Sequence, residues 1–132
     1  MKELRQLKKL IQQIRDSGEK YDFILAPARG GLVPAQFIAY ALDIKVIHVI
    51  NNVKGGYPRS QPTQKCLLVD DINDTSYTVE AMVAFMKNNN RCDVIDVAVI
   101  FQRFNSPFKA QFVGDIIEDK SWVDFTWDKE IV

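Results

Sequence analysis

Residues 65–78 read "KCLLVDDINDTSYT". Cys66, Leu67, Leu68 and Val69 form an unbroken apolar run that ends on Asp70 and Asp71, and Asp74, Thr75, Ser76, Tyr77 and Thr78 follow within one turn's length. A continuous apolar run, rather than an alternating one, suits a strand covered on both faces. The next stretch, "TVEAMVAFMKNN", has apolar residues at helical spacing, so the unit reads as strand, polar turn and helix. Outward from it, "YDFILA", "KVIHVI" and "VIDVAVIF" read as strands and "VPAQFIAYAL" as a helix. Near the N-terminus Leu4, Leu7, Leu10, Ile11 and Ile14 mark an amphipathic helix stopped by "DSG" at 16–18. This alternation predicts one α/β domain over 1–132, with a mostly parallel central sheet flanked by helices on both faces. The long break is "NNVKGGYPRSQPTQ" at 51–64, read as an exposed loop.

The chain carries 17 basic and 17 acidic residues. No overall field draws it to nucleic acid or to an anionic membrane, so a charged ligand has to be held by local groups. With no leader pattern and no apolar run approaching the ~20 residues that span a bilayer, the expectation is a soluble, cytoplasmic protein. Cys66 and Cys92 lack metal-ligand spacing and border strands, as buried reduced thiols do. His48, inside "KVIHVI", reads as a strand residue, and "KNNNR" at 87–91 as a helix end and turn.

Open α/β sheets bind ligands outside the C-terminal strand ends, where strand order reverses. Two strand-to-helix turns carry the chemistry. In "APARGGLVP", Gly30 and Gly31 allow a ligand close to main-chain N–H groups at a helix N-terminus, and Arg29 adds a fork of donors suited to phosphate. Taken alone, "RGG" is more simply an ordinary glycine-containing turn with a solvated arginine. In "DDINDTSYT", the carboxylates suit sugar hydroxyls or Mg²⁺, and the hydroxyls and N–H groups of Thr75–Thr78 suit a phosphate monoester. Helix N-capping accounts for one of these residues but not for five, and Thr78 and Val79 stand where a capping box needs Glu or Gln. An apolar strand ending in Asp-Asp also occurs in nucleoside triphosphatases, but "GxxxxGK[ST]" is found nowhere in the chain.

Together the two turns resemble the type I phosphoribosyltransferases. "LLVDDINDTSYT" is similar to that family's signature for 5-phosphoribosyl 1-pyrophosphate (PRPP), and "APARGGLVPAQFIAYALDIK" to its pyrophosphate loop and following helix. The resemblance implies that Asp70 and Asp71 bind the ribose hydroxyls and Mg²⁺, that Asp74, Thr75, Ser76, Tyr77 and Thr78 cradle the 5′-phosphate, and that Ala28, Arg29, Gly30 and Gly31 bind pyrophosphate. It also implies a cis peptide at Ala28–Arg29 and an acid/base role for Asp74 beside the purine. The tail "DIIEDKSWVDFTWD" resembles the hood of the xanthine-guanine type, with Trp122 stacking on the purine, Val123 reading its edge and Asp128 matching an acidic residue of the site.

The resemblance therefore implies Mg²⁺-dependent transfer from PRPP to guanine, xanthine or hypoxanthine, giving a nucleoside monophosphate and pyrophosphate in purine salvage, by a homodimer or higher homo-oligomer. Four departures stand out. Ser76 occupies a usual glycine position, and Arg103 falls near a lysine that reaches the purine 6-oxygen. The 51–64 loop stands where the family has a mobile lid that closes over PRPP; it lacks the family's Ser-Tyr pair, with Lys54, Tyr57 and Arg59 as candidate substitutes and a solvated turn as the simpler reading, and the hood is short. Ser76, Arg103 and the altered loop favour a second reading, a PRPP- or nucleotide-binding regulatory module with little or no transfer activity, while the three retained aspartates favour catalysis.

Overall fold

A computed structural model of the protein describes residues 2–118. The elements are α1 (Lys2–Ser17), β1 (Phe23–Pro27), α2 (Leu32–Leu42), β2 (Ile47–Ile50), β3 (Lys65–Asn73), α3 (Tyr77–Asn88), β4 (Val94–Arg103) and β5 (Phe112–Ile117). All five strands run parallel, in the order β2-β1-β3-β4-β5. The predicted strands and helices form within a few residues of their expected bounds, and helices cover both faces.

The two-sided burial explains the apolar runs. Ile24, Ala26, Leu67, Val69, Ala98 and Ile100 pack under α1 and α2, which contribute Leu7, Leu10, Ile14, Ala35 and Ile38. The alternate residues Phe23, Leu25, Cys66, Leu68, Val97 and Val99 pack under α3 through Val79, Met82, Val83 and Met86. Successive strand residues point to opposite faces, so both parities must be apolar. Cys66 and Cys92 are buried free thiols, as expected. Burial pushes both thiols up from their ordinary values, which suits inert packing residues.

β5 was absent from the sequence expectation. Parallel neighbours are usually joined by a helical crossover of a dozen or more residues, whereas β4 and β5 are joined by residues 104–111 alone. This strap returns along the α3 face, where Phe108 and Ala110 pack against the core beneath that helix. It therefore passes directly under the turn between β3 and α3.

The strand order places a reversal between β1 and β3. From β1 the chain moves out to β2, and from β3 it moves the other way. The β1–α2 and β3–α3 turns flank that switch point, the general ligand crevice of such sheets.

Candidate functional site

In the β1–α2 turn the Ala28 N–H donates to the Ile50 carbonyl at 2.8 Å, and the Gly31 N–H donates back to the Pro27 carbonyl at 2.9 Å. The Ala28–Arg29 peptide is cis, as the resemblance implied. A Cβ at Gly30 would lie 2.6 Å from Oδ1 of Asp71, and one at Gly31 would run into the Val69 carbonyl. Both glycines thus let this turn close onto the end of β3. Arg29 is exposed at its edge. No side chain caps α2, whose N-cap is Gly31.

At the end of β3, Asp70 is 8% exposed and Asp71 half-buried. Asp70 Oδ1 accepts from the Asp71 N–H at 2.8 Å, and Asp71 Oδ1 accepts from the Ile72 N–H at 2.7 Å. Burial, and then the Asp71 charge, hold the Asp70 carboxyl well above the usual carboxylate range. Both effects disfavour a second negative charge, and a cation or a hydroxyl donor placed there would oppose them. Two adjacent carboxylates match Mg²⁺, which commonly takes one or two protein carboxylates and completes its shell with water and substrate phosphates.

The β3–α3 turn encloses a cavity of about 120 Å³ lined by Asp70, Ile72 and residues 73–79. That volume suits one phosphate group rather than a whole nucleotide, whose pockets run to ~300 Å³ and more. Ser76 is the N-cap of α3 in left-handed backbone geometry, φ 69°, and its side chain makes no capping bond. Its buried Oγ instead accepts from the Phe108 N–H at 3.1 Å. The departure from glycine is thus tolerated in a glycine-like conformation, with the hydroxyl oxygen engaged on the strap side. Thr75 and Tyr77 are exposed and Thr78 half-buried.

The strap contributes residues that the sequence reading missed. Ser106 Oγ lies 2.8 Å from the Asn73 carbonyl and within hydrogen-bond reach of the Asp74 carbonyl. Asn73 Nδ2 donates to the Phe108 carbonyl at 2.7 Å and to Gln102 Oε1 at 3.1 Å. These contacts follow from β5 and its short crossover, so a reading without β5 had no means of finding them.

Arg103, 6% exposed, donates from Nε to Asp74 Oδ1 at 3.0 Å. The structure therefore brings the expected acid/base residue and the expected base-contacting residue into one ion pair. Trp122, Val123 and Asp128 lie outside the described residues.

The 51–64 segment takes a different course from the one expected of a lid. Tyr57 stacks on Phe85 with ring centroids 4.0 Å apart and planes at 12°. Arg91 lies 5.6 Å from the same ring centre and donates to the Pro58 carbonyl at 2.8 Å. Phe85 is eight residues beyond Tyr77, about 12 Å along the helix axis. In this structure Tyr57 is thus a packing residue for the far part of α3, and its burial pushes the phenol up from its ordinary value.

Comparison with known proteins agrees with this geometry. The phosphoribosyl transferase domain family matches residues 1–131. A xanthine-guanine phosphoribosyltransferase of Nitratidesulfovibrio vulgaris is 27% identical, over 96% of this chain and 80% of its own length. One from Desulfotalea psychrophila is 31% identical, over 81% of this chain and 70% of its own. Among solved structures, a purine phosphoribosyltransferase from Pyrococcus horikoshii superposes with a TM-score of 0.81 at 22% identity, covering 95% of this chain and 88% of that one.

Proposed function

The chain belongs to the phosphoribosyl transferase family, and from that membership we propose a single-domain purine phosphoribosyltransferase acting on PRPP and a 6-oxopurine. The observation that carries this reading is the pair of helix N-termini at the switch point, one beside Gly30–Gly31 and one beside the acid pair and hydroxyl-rich turn, neither of which is capped by the side chain of its N-cap residue. At α3 a long contact from the Tyr77 N–H to Thr75 Oγ1, at 3.4 Å, engages one helix-start donor, and capping does not account for the rest of the turn. Two anion seats flanking two carboxylates match a substrate with a phosphate and a pyrophosphate on one ribose.

In this reading the 5′-phosphate sits on residues 74–78 and the pyrophosphate on residues 28–31, with Asp70 and Asp71 turned to the ribose hydroxyls. Mg²⁺ held by Asp70 and Asp71 would supply charge neutralisation to the departing pyrophosphate. The bond from C1′ to the pyrophosphate oxygen breaks and a bond from C1′ to a purine nitrogen forms. The proton of that nitrogen passes to the half-exposed carboxylate of Asp74, which Arg103 orients. Arg29 offsets charge on the leaving group from the turn's edge. The products are a nucleoside monophosphate and pyrophosphate, as in purine salvage, and in this reading a cytoplasmic homo-oligomer is the working form.

The test is pyrophosphate release from PRPP and Mg²⁺ with guanine, xanthine, hypoxanthine, adenine or uracil. Release is expected with at least one 6-oxopurine. Asp74→Asn should lower turnover by about 10²–10⁴-fold while leaving PRPP affinity within about threefold. Measurable PRPP binding with no release for any base would instead favour the regulatory-module reading, which the docked Tyr57 also supports, since a lid held on α3 does not exclude water from the site.

A further inference from the structure

We propose that Ser106, on the strap between β4 and β5, is the positioning residue that sets the phosphate turn and locks it to Asp74 and Arg103. The inference rests on the phosphoribosyl-transfer reading of the β3–α3 turn, and it assigns a role to a residue that neither the sequence motifs nor any carry-over from the family touches.

Ser106 is 2% exposed, so its hydroxyl has no solvent to bond. Its Oγ reaches two successive main-chain carbonyls, those of Asn73 and Asp74. In a trans peptide the C=O and the following N–H point in opposite directions. Drawing the Asp74 carbonyl down onto Ser106 therefore turns the Thr75 N–H away from the strap, to the side where the 120 Å³ cavity lies. Residues 104–110 do not line that cavity. A serine beneath the turn thus directs a donor above it.

The same residue closes a ring. The Ser106 N–H donates to the Arg103 carbonyl at 3.1 Å. Arg103 Nε donates to the Asp74 carboxylate at 3.0 Å, and the Asp74 carbonyl returns to Ser106 Oγ. The phosphate seat, the proton-transferring carboxylate and its guanidinium partner thus meet at one residue that touches no substrate, through its hydroxyl on the Asp74 side and its main-chain N–H on the Arg103 side. A second tie, from the Phe108 N–H to Ser76 Oγ, holds the other end of the turn to the same strap.

The experiment compares binding of ribose 5-phosphate and of inorganic pyrophosphate, both with Mg²⁺, by titration calorimetry on the full chain. Ser106→Ala should weaken ribose 5-phosphate by about tenfold, the scale of one hydrogen bond, and leave pyrophosphate at the Gly30–Gly31 turn within about twofold. Ser17→Ala, which removes a comparable hydroxyl bond to the Ile14 carbonyl on α1, should move neither. If Ser106→Ala fails to fold, Ser106→Cys carries the comparison, since a thiol keeps the size but is a weak donor, with an expected loss of about threefold confined to ribose 5-phosphate. Unchanged ribose 5-phosphate binding, or equal losses for both ligands, would overturn the inference. A wild type that binds ribose 5-phosphate but releases no pyrophosphate sinks the enzyme reading and leaves Ser106 tested on binding alone. A wild type that binds no ribose 5-phosphate overturns the inference, and the enzyme reading then stands or falls on pyrophosphate release alone.

Discussion

At the β1–α2 turn, Gly30 and Gly31 bring bare main chain against Asp71 and the Val69 carbonyl, while at the β3–α3 turn a serine takes φ 69° over a buried polar strap. Both turns end at a helix N-terminus whose N-cap residue makes no side-chain capping bond. The first is shaped by what its residues lack, since any Cβ would fill the space by which the turn approaches β3. The second is shaped by hydrogen bonds from the strap, through the Ser106 side chain and the Phe108 main chain. An anion seat can thus be fixed by close packing of backbone or by hydrogen bonds from below. The two designs fail in different ways when altered.

The close-packed turn should break hardest. Gly31→Ala places a methyl against the Val69 carbonyl and 3.0 Å from the Pro27 carbonyl and Cδ, all of them main chain or a rigid ring. Overpacking of this kind costs about 3 kcal/mol, and a displaced turn should lower turnover by at least about 100-fold. Gly30→Ala meets only the Asp71 carboxylate, which can swing aside, so it should weaken PRPP by about tenfold with little loss of stability. Denaturant melts and PRPP titration of the two variants check the order. Equal effects would mean that approach to β3 is not what the glycines provide.

This asymmetry also marks the limit of what could be read from the letters. Gly30 and Gly31 read by themselves as an ordinary turn and gain a purpose only beside "DDINDTSYT", whereas the apolar runs "FILA", "LLV" and "VAVI" expose a doubly covered sheet directly. Asp70, Asp71 and Asp74 were legible too: charged residues at the end of a buried strand need a purpose. Ser106, Gln102 and Asn73 were not, because a lone serine or amide carries no pattern and its meaning depends on which chain segment lies beside it. That segment is the 104–111 strap, and its placement depended on β5, whose "FVGDII" follows too short a connection to suggest a parallel neighbour. The packing of Tyr57 was hidden for a related reason, since an aromatic in a Gly- and Pro-rich loop does not show in sequence that Phe85 lies within stacking distance.

Between the two turns lies the acid pair, where function and stability should pull apart. Burial and the Asp71 charge hold Asp70 well above the ordinary value of 3.8. The folded state therefore binds a proton that the unfolded chain has released in the window above 3.8, so this residue's contribution to stability falls as pH rises through that window. Without ligand, Asp70→Asn should raise the melting temperature at neutral pH and flatten its decline between acid and neutral pH. The same variant should weaken Mg²⁺-dependent PRPP binding by at least about tenfold, because a carboxylate acceptor for metal and ribose hydroxyls is gone. Thermal melts of both proteins from acid to neutral pH, with and without Mg²⁺-PRPP, test the pair. A destabilised Asp70→Asn would show that the carboxylate is satisfied in the free protein and is not held in readiness for a ligand.

The smallest effect should come from exchanging one turn's design for the other's. Ser76→Gly removes the left-handed backbone cost, about 1 kcal/mol or slightly more, and also removes the bond from the Phe108 N–H, worth about 1 kcal/mol. The glycine additionally frees the unfolded chain, a further loss of about 0.4–1 kcal/mol. These terms nearly cancel, so Ser76→Gly should lie within about 1 kcal/mol of the wild type. Ser76→Ala keeps the backbone cost and loses the bond, leaving a half-buried N–H without its partner, and should be the less stable variant by about 1 kcal/mol. Urea melts rank the three proteins, with wild type and Ser76→Gly close together and Ser76→Ala below them. Were alanine the more stable replacement, φ 69° would not be a cost here, and the buttressing of this turn by the strap would have nothing to offset.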